Sequence, residues 1–376
     1  MCIFNIMKYD ICVVSFSDIR FDGRTKNLID ALLYLEKKVI VISLTPINIF
    51  DDAVTHITIK TSLQRRVLFR WIAFYNEVKK CLKHIDYQIY WASDLYSLPN
   101  GRDKLIYDSR EIYSALSSLH NSSFRQKVLT AIEKKYIQKT NVIITSGTRD
   151  SNYIKNKYQL KSPIYEIYNY PLYQEHINSN TIKQQLNIAE NKIILLYQGV
   201  LLQGRGIIPI IDAIKEHSQY VLVILGEGGY KDTLKNYVDV LNMKDRVHFV
   251  GNIEYKELHQ WTCSADIGLC NIEPISYSYQ LALPNKLFEY ILAELPVIAT
   301  DLPALRDILY KKENNHLGII IPADNKQNDI INALNNLVLS KNYYKENIRN
   351  AKHNYTYQQQ YHLIKDILSA PELNSA

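Results

Sequence analysis

KIILLYQGVLLQGRGIIPIIDAIKEHSQYVLVILGEG (192–228) reads as a near-continuous apolar run (192–200), a short loop LLQGRGI (201–207), a helical-period segment and a second apolar run (220–228). Apolar runs of this length without polar alternation suit strands buried on both faces, and a helix between two of them makes a βαβ unit of a parallel sheet. The pattern continues downstream in RVHFVGNI (246–253), DIGLCNI (266–272), PVIAT (296–300) and LGIIIP (317–322), with helical segments between. Upstream, strands are expected at 9–16, 38–44, 54–60, 87–92, 104–108, 142–146 and 163–168, with helices at 25–37, 63–83, 124–139 and 148–158. Between the two series, Asn169–Asn191 breaks the pattern and reads as a hinge, and Asn342–Leu368 is helical in period, free to pack back across either domain. The expected architecture is therefore α/β: two facing, doubly wound parallel-sheet domains with a cleft between them, at 1–172 and 173–344, with a terminal helix over about 345–376 returning to the first. Ligands of such sheets bind beyond the carboxyl ends of the strands, so the loops there carry the chemistry.

Composition fits a folded chain. The 376 residues are 47% hydrophobic and 22% charged, which excludes a disordered or collagen-like protein, and 12 glycines leave no Gly-rich repeat. The five cysteines (Cys2, Cys12, Cys81, Cys263, Cys270) show no C-x-x-C spacing, so they read as reduced thiols rather than a zinc or redox site. Lys8 and Asp10 interrupt the first apolar run, no small-residue cleavage site follows, and no stretch reaches membrane-spanning length, so a cytoplasmic protein is expected. The net charge of +6 is uneven, +9 over 1–172 (25 basic, 16 acidic) and −3 over the rest (19 basic, 22 acidic). That asymmetry suggests an anionic partner for the first half. The basic residues are not interleaved with a reading module, which argues against nucleic acid.

After the first strand, SFSDIRFDGRTKN (15–27) lacks the G-x-G-x-x-G of a dinucleotide site. Gly23 there serves either as a simple turn or as a close approach for a phosphate at a helix N-terminus. In LLQGRGI two glycines bracket Arg205 at a helix start, a combination that suits a diphosphate or, equally, a turn with a solvated arginine. LALPNKLFEYILAELPVIATDLPALRDIL (281–309) places Pro284 at the expected first position of a helix, with Asn285 and Glu289 on one face. Free N–H groups and Lys286 would meet a diphosphate, and Glu289 could accept ribose hydroxyls; alternatively Lys286 and Glu289 form a surface salt bridge.

PNKLFEYILAELPVIATDLP, with YQGVLLQGRGI, VLVILGEGG, VHFVGNI and YDSREIYSAL, resembles the family 4 (group 1) glycosyltransferases of the GT-B fold, in the subset with a PNKLFEY block. The resemblance implies two Rossmann-like domains, a nucleotide-sugar donor (UDP- or GDP-sugar) in the second, an acceptor in the first, and transfer that retains anomeric configuration without a metal or other cofactor. It assigns Glu289 to the ribose, Arg205 to the diphosphate, and the backbone at Val250, Gly251 and Asn252 to the base. Gly23, Asn285 and Lys286 complete the donor-side candidates, Asp94 and Arg110 are the catalytic ones, and Asp108 and Glu111 are acceptor-side ones.

The departures from the family pattern are specific. Leu281 stands where the first glutamate of the family's pair is usual, with Tyr279 and Gln280 nearby; Arg110 stands at a usual histidine, Val200 at a usual arginine, and Ser93 before Asp94 at another usual histidine. Asp94 orients an acceptor hydroxyl or caps a helix. No nucleophile is named: a front-side, oxocarbenium-like route with electrostatic stabilisation of the leaving diphosphate is expected.

The family context points to transfer of a hexose or N-acetylhexosamine to a glycan or lipid-linked acceptor in capsule or lipopolysaccharide synthesis. The alternatives are a GT-B sugar-nucleotide epimerase and a non-catalytic partner subunit. LQRRVLFRWIAFYNEVKKCL (63–82) is amphipathic, with Arg65, Arg66, Arg70, Lys80 and Lys83 opposite Val67, Leu68, Trp71, Ile72, Phe74, Tyr75, Val78 and Leu82. It either packs its apolar side on the sheet with a solvated basic face, or docks that basic face, with Arg125, Lys127, Lys134, Lys135 and Lys139, on anionic lipid at the inner face of the cell membrane.

Overall fold

The computed structural model describes residues 8–61, 67–102, 104–113, 123–311 and 315–374. The chain forms two compact units, 1–169 with 360–376, and 170–359.

The first unit contains β1 (Lys8–Val14), α1 (Gly23–Tyr34), β2 (Val39–Ser43), β3 (Thr55–Thr58), α2 (Val67–Cys81), β4 (Asp86–Ala92), β5 (Leu105–Ser109), α3 (Ser123–Ile137), β6 (Val142–Thr145), α4 (Thr148–Tyr158) and β7 (Ile164–Glu166). The second contains α5 (Thr181–Leu186), β8 (Ile193–Gln198), α6 (Ile207–Ile214), β9 (Tyr220–Leu225), α7 (Lys231–Val240), β10 (Val247–Gly251), α8 (Tyr255–Cys263), β11 (Ile267–Cys270), α9 (Tyr277–Gln280), α10 (Asn285–Leu292), β12 (Val297–Thr300), α11 (Pro303–Leu309), β13 (Gly318–Ile321), α12 (Gln327–Leu339) and α13 (Lys341–Ala351). α14 (Tyr361–Leu368) and α15 (Pro371–Asn374) return to the first unit, where Tyr361 packs on Tyr34 of α1.

Both sheets are parallel and doubly wound, ordered β3-β2-β1-β4-β5-β6-β7 and β10-β9-β8-β11-β12-β13. Central strands are buried along most of their length, Val39–Ser43 and Tyr220–Leu225 throughout, as sheets covered by helices on both faces demand. Strand order reverses between β1 and β4 in the first sheet and between β8 and β11 in the second. Those two points are where loops diverge and leave room for a ligand.

Three expectations are corrected. The unit boundaries fall after Asn169 and after Gln359, against the expected 172 and about 345. The stretch 342–368 is not one helix: two short 3₁₀ turns, Lys352–Tyr355 and Tyr357–Gln360, separate α13 from α14, and Lys352 and Tyr355 there are buried. The apolar side of α2 is not wholly packed. Phe74 and Val78 are buried, but Val67, Leu68 and Ile72, with Phe69, are among the exposed large hydrophobics. At 100° per residue Leu68 and Ile72 lie well round the helix from the Phe74–Val78 line, and Val67 lies on that line but in the first turn. Arg65 and Arg66 lie outside the described residues, as does the side chain of Arg125. Cys12, Cys81, Cys263 and Cys270 are free thiols.

Candidate functional site

The second unit's cluster is built on Gly268 of β11. A Cβ there would sit 2.6 Å from the Tyr290 ring, so the missing side chain lets α10 lie directly against the sheet. Tyr290 Oη donates to the carbonyl of Leu196 (3.0 Å) and accepts from the N–H of Gln198 (3.1 Å), which locks α10 to the end of β8. Glu289, one residue earlier, thereby meets Gln198, whose Nε2 donates to its carboxylate. The Thr262 hydroxyl, 3.0 Å from Gln198 Oε1, fixes the orientation of that amide. Burial pushes the Glu289 carboxyl above its ordinary range, and the Gln198 bond and the charge of Lys286 pull against it.

α10 starts one residue later than expected: Pro284 is its N-cap in extended conformation, and Asn285, exposed, is the first helical residue. Its C-terminus closes at Glu294, which adopts a left-handed φ of 56°. The buried carboxylate of Glu294 bonds Lys352 (3.0 Å) and Arg349 (2.9 Å), which help bring its carboxyl down to about 2.

Lys286 forms no ion pair with Glu289 among the described residues. It is 7% exposed, and its Nζ has no hydrogen-bond partner there and lies 3.5 Å from the centre of the Tyr197 ring. Burial above all brings its amine down to about 7; Arg205 adds to that, while Cys270 and Glu289 oppose it. Arg205 stacks over the Tyr279 ring (4.7 Å), and its buried Nε is likewise without a partner. The glycines beside it are obligatory. Gly206 has φ 68°, and a Cβ there would lie 1.9 Å from the Asn271 carbonyl oxygen, so the loop after β8 rests against the loop after β11. Arg205, Lys286 and Glu289 all act on the Cys270 thiol, which burial pushes up to about 11.

Gly251 closes β10 with φ 91°, its carbonyl accepting from Gly226 N–H (2.7 Å); Val250 is half-buried and Asn252 exposed. Tyr255 stands exposed at the start of the next helix. Tyr255, Thr262 and Glu289 line one hollow with Leu258, His259 and Leu292.

In the first unit, β1, β4 and β5 deliver a different cluster. Arg24 is buried and donates to both Asp108 oxygens (2.7–3.1 Å) and to the Ile167 carbonyl (2.6 Å). Arg110 donates from Nε to Asp108 (3.2 Å), and from its terminal nitrogens to Asp22 (2.6 Å) and the Thr25 hydroxyl (2.7 Å). Asp22 caps α1 by accepting the Thr25 N–H (3.0 Å). Burial raises its carboxyl, but Arg110 and Thr25 outweigh that and bring it down to about 2. Ser17 and Ser15 continue the chain to Asp94, which accepts the N–H of Phe16 (2.7 Å) and of Ser97 (2.8 Å). Burial raises the Asp94 carboxyl above its ordinary range, against the opposing pull of these two N–H groups and of Arg110.

The structure thus places Asp94, Asp108, Arg110 and Gly23 around one end of the first sheet, with Glu111 exposed beside them. Gly23 is the first residue of α1, where the anionic cap Asp22 already occupies the N-terminus. Asp94 does not cap a helix; it pins the turn that leads to Ser97, the residue before the next 3₁₀ turn. Sequence reasoning missed Asp22, Arg24, Tyr197 and Gln198. Gln198 had a signal, a polar residue closing an apolar strand run. Among the described residues no group of three or more His, Cys, Asp or Glu could hold a metal ion, and no helix is long and apolar enough to cross a membrane.

Residues 178–354 match the family model of glycosyl transferases group 1. That match, short of half the chain, makes this segment similar to the group 1 glycosyl transferases, and the structural neighbours share the GT-B fold. An uncharacterized glycosyltransferase of Methanocaldococcus jannaschii is 25% identical over 188 residues, 46% of this chain and 43% of that one, so the match spans less than half of the relative. Among solved structures, sucrose-phosphate synthase from Thermosynechococcus elongatus superposes with TM-score 0.80 at 15% identity, covering 98% of this chain and all of that one. WaaG, a glycosyltransferase involved in lipopolysaccharide biosynthesis, gives 0.74 at 15% identity over 96% and 100%. Anabaena HepE in complex with UDP-glucose gives 0.73 at 16% identity over 96% and 99%.

Proposed function

We propose that this protein transfers a hexose or N-acetylhexosamine from a nucleotide-diphosphate sugar to a glycan or lipid-linked acceptor, with retention and without a metal, in synthesis of a surface polysaccharide. The observation that carries the reading is the buried Nζ of Lys286 and the buried Nε of the half-buried Arg205, both without a hydrogen-bond partner among the described residues, beside the carboxylate of Glu289 at the strand-order reversal of the second sheet, inside the family-matched segment. Cations there suit a diphosphate, and a carboxylate held by Gln198 on one side keeps acceptor capacity for ribose hydroxyls. HepE, solved with UDP-glucose, and WaaG, named for lipopolysaccharide biosynthesis, share the fold and support the donor class and the pathway. Stabilising the departing diphosphate then falls to Arg205 and Lys286, an electrostatic contribution that needs no covalent intermediate. In the first unit Arg110, locked to two carboxylates, serves as a fixed positive charge beside the acceptor rather than as an acid or base. Asp94 and Asp108 hold the loops that would receive the acceptor, and Glu111 lies exposed beside them.

The test is R205A and E289A, each assayed for binding of UDP- and GDP-sugars by thermal shift and for sugar transfer. A ligand of the folded state raises the melting temperature of the unaltered protein. Both variants should lose that shift and most transfer; near-normal transfer in both refutes the reading.

A peripheral membrane location is favoured by a specific observation: the first half of α2 exposes Val67, Leu68, Phe69 and Ile72, and its last turn carries the exposed Lys79 and Lys80. Apolar side chains backed by lysines suit insertion into an anionic lipid surface where a lipid-linked acceptor would sit.

A further inference from the structure

Lys286 is the least satisfied charged group of the second unit's cluster. Its Nζ is buried, lies on the Tyr197 ring and has no acceptor among the described residues. Arg205, a permanent cation, is close enough to oppose its charge. The one carboxylate acting on it, Glu289, is engaged by Gln198 and makes no ion pair with it among the described residues. Holding the buried Lys286 ammonium near the Arg205 guanidinium without a hydrogen-bonded counter-charge is costly, and a lysine, unlike an arginine, can relieve the cost by releasing its proton.

We propose that above neutral pH Lys286 is an uncharged amine in the donor-free site and becomes the second diphosphate-binding cation by taking a proton from solvent as the donor binds. The nitrogen lone pair accepts the proton, and no bond of the nucleotide changes. The incoming diphosphate supplies the counter-charge and acceptors that the protein lacks, so the ammonium form becomes favoured only in the complex. The proposal rests on the nucleotide-sugar reading and deepens it by assigning how the site is charged.

The groups facing Lys286 leave it as the one that switches. The Cys270 thiol on β11, up to about 11, and the Tyr197 hydroxyl on β8, raised further, stay protonated near neutrality, and Arg205 in the loop after β8 stays charged. Glu289, on its own helix, would titrate as an acid raised by burial. With the Lys286 amine down to about 7, uptake is an alkaline-side effect. Donor affinity should be level below about pH 6 and fall toward tenfold per pH unit above about pH 8.

The experiment is calorimetric titration of the full chain with UDP-glucose and GDP-mannose, neither of which titrates near neutrality, in pairs of buffers of different protonation enthalpy. The expected result is uptake of close to one proton per ligand at about pH 8 and close to none at about pH 6. K286R should bind with no uptake at either pH and with affinity independent of pH. Binding without proton uptake at about pH 8, or uptake that persists in K286R, overturns the proposal and leaves the donor reading standing. No binding of either sugar nucleotide at either pH overturns both.

Discussion

Replacing Asp108 with asparagine tests whether the charge network of the first unit is a fixed frame. The side chains of Asp108 and Arg24 are 3% and 5% exposed, and Asp108 also binds Arg110. Removing one partner of a buried ion pair costs about 3–5 kcal/mol, because the surviving charge stays buried without a counter-ion. Asparagine keeps one acceptor oxygen for Arg24, and Arg110 retains Asp22 and Thr25, so the lower end, about 3 kcal/mol, is expected. For a unit of this size each kcal/mol moves the melting temperature by about 2–4 °C, which gives a drop of about 6–12 °C. Scanning calorimetry of D108N beside E77Q is the assay. Glu77 pairs with Lys80 on the surface, with side chains 47% and 69% exposed, and such pairs contribute little. If D108N melts within about 2 °C of E77Q, the network is not a stabilising frame and the structural role given to Arg110 fails with it.

Three further outcomes follow. Glu294→Gly would relieve a left-handed residue by about 1 kcal/mol but strand the buried Lys352, so a net loss of about 2–4 kcal/mol is expected in thermal melts; a gain refutes the weight given to the ion pair. The carboxyls of Asp22 and Glu294 are both held down to about 2 in the folded chain, so their stabilisation is complete above the ordinary carboxylate range and fades as pH falls from about 4.5 toward 2. Leu68→Ser with Ile72→Ser should leave the melting temperature nearly unchanged, since both residues are exposed, yet abolish flotation with anionic vesicles; retained flotation refutes the membrane reading.

Why the sheets were legible in the sequence while most of the cluster was not is a matter of range. Strands such as Tyr220–Leu225 are buried on both faces, so their apolar runs stand out locally. Run ends overshoot where apolar residues continue into a loop: β8 stops at Gln198, although the run extends to Val200, which is exposed. For α2, periodicity identifies an amphipathic helix but carries no information on how much of it the sheet covers. PNKLFEY announces a helix start, yet Glu289 meets Gln198 across 91 residues and Arg24 meets Asp108 across 84. Such pairs are set by strand order, and no window of sequence contains both partners.

Strand order also explains a difference between the two clusters. Each sheet gathers charged side chains where its order reverses, so topology alone would make either a candidate ligand site. In the first unit every guanidinium nitrogen of Arg24 and Arg110 has a protein acceptor, and Asp22 and Asp108 balance the two positive charges. In the second, Arg205 Nε and Lys286 Nζ are buried without one. Buried polar groups in folded proteins are nearly always paired, so two cationic donors left unpaired near one another call for an anionic partner from outside, whereas the neutral Ser93 Oγ and Trp91 Nε1 left unpaired in the first unit offer no such charge. Cutting the first cluster should therefore cost stability, whereas cutting the second should cost ligand affinity at little expense to the fold. That contrast distinguishes a frame from a binding site even though both sit at equivalent points of the same topology.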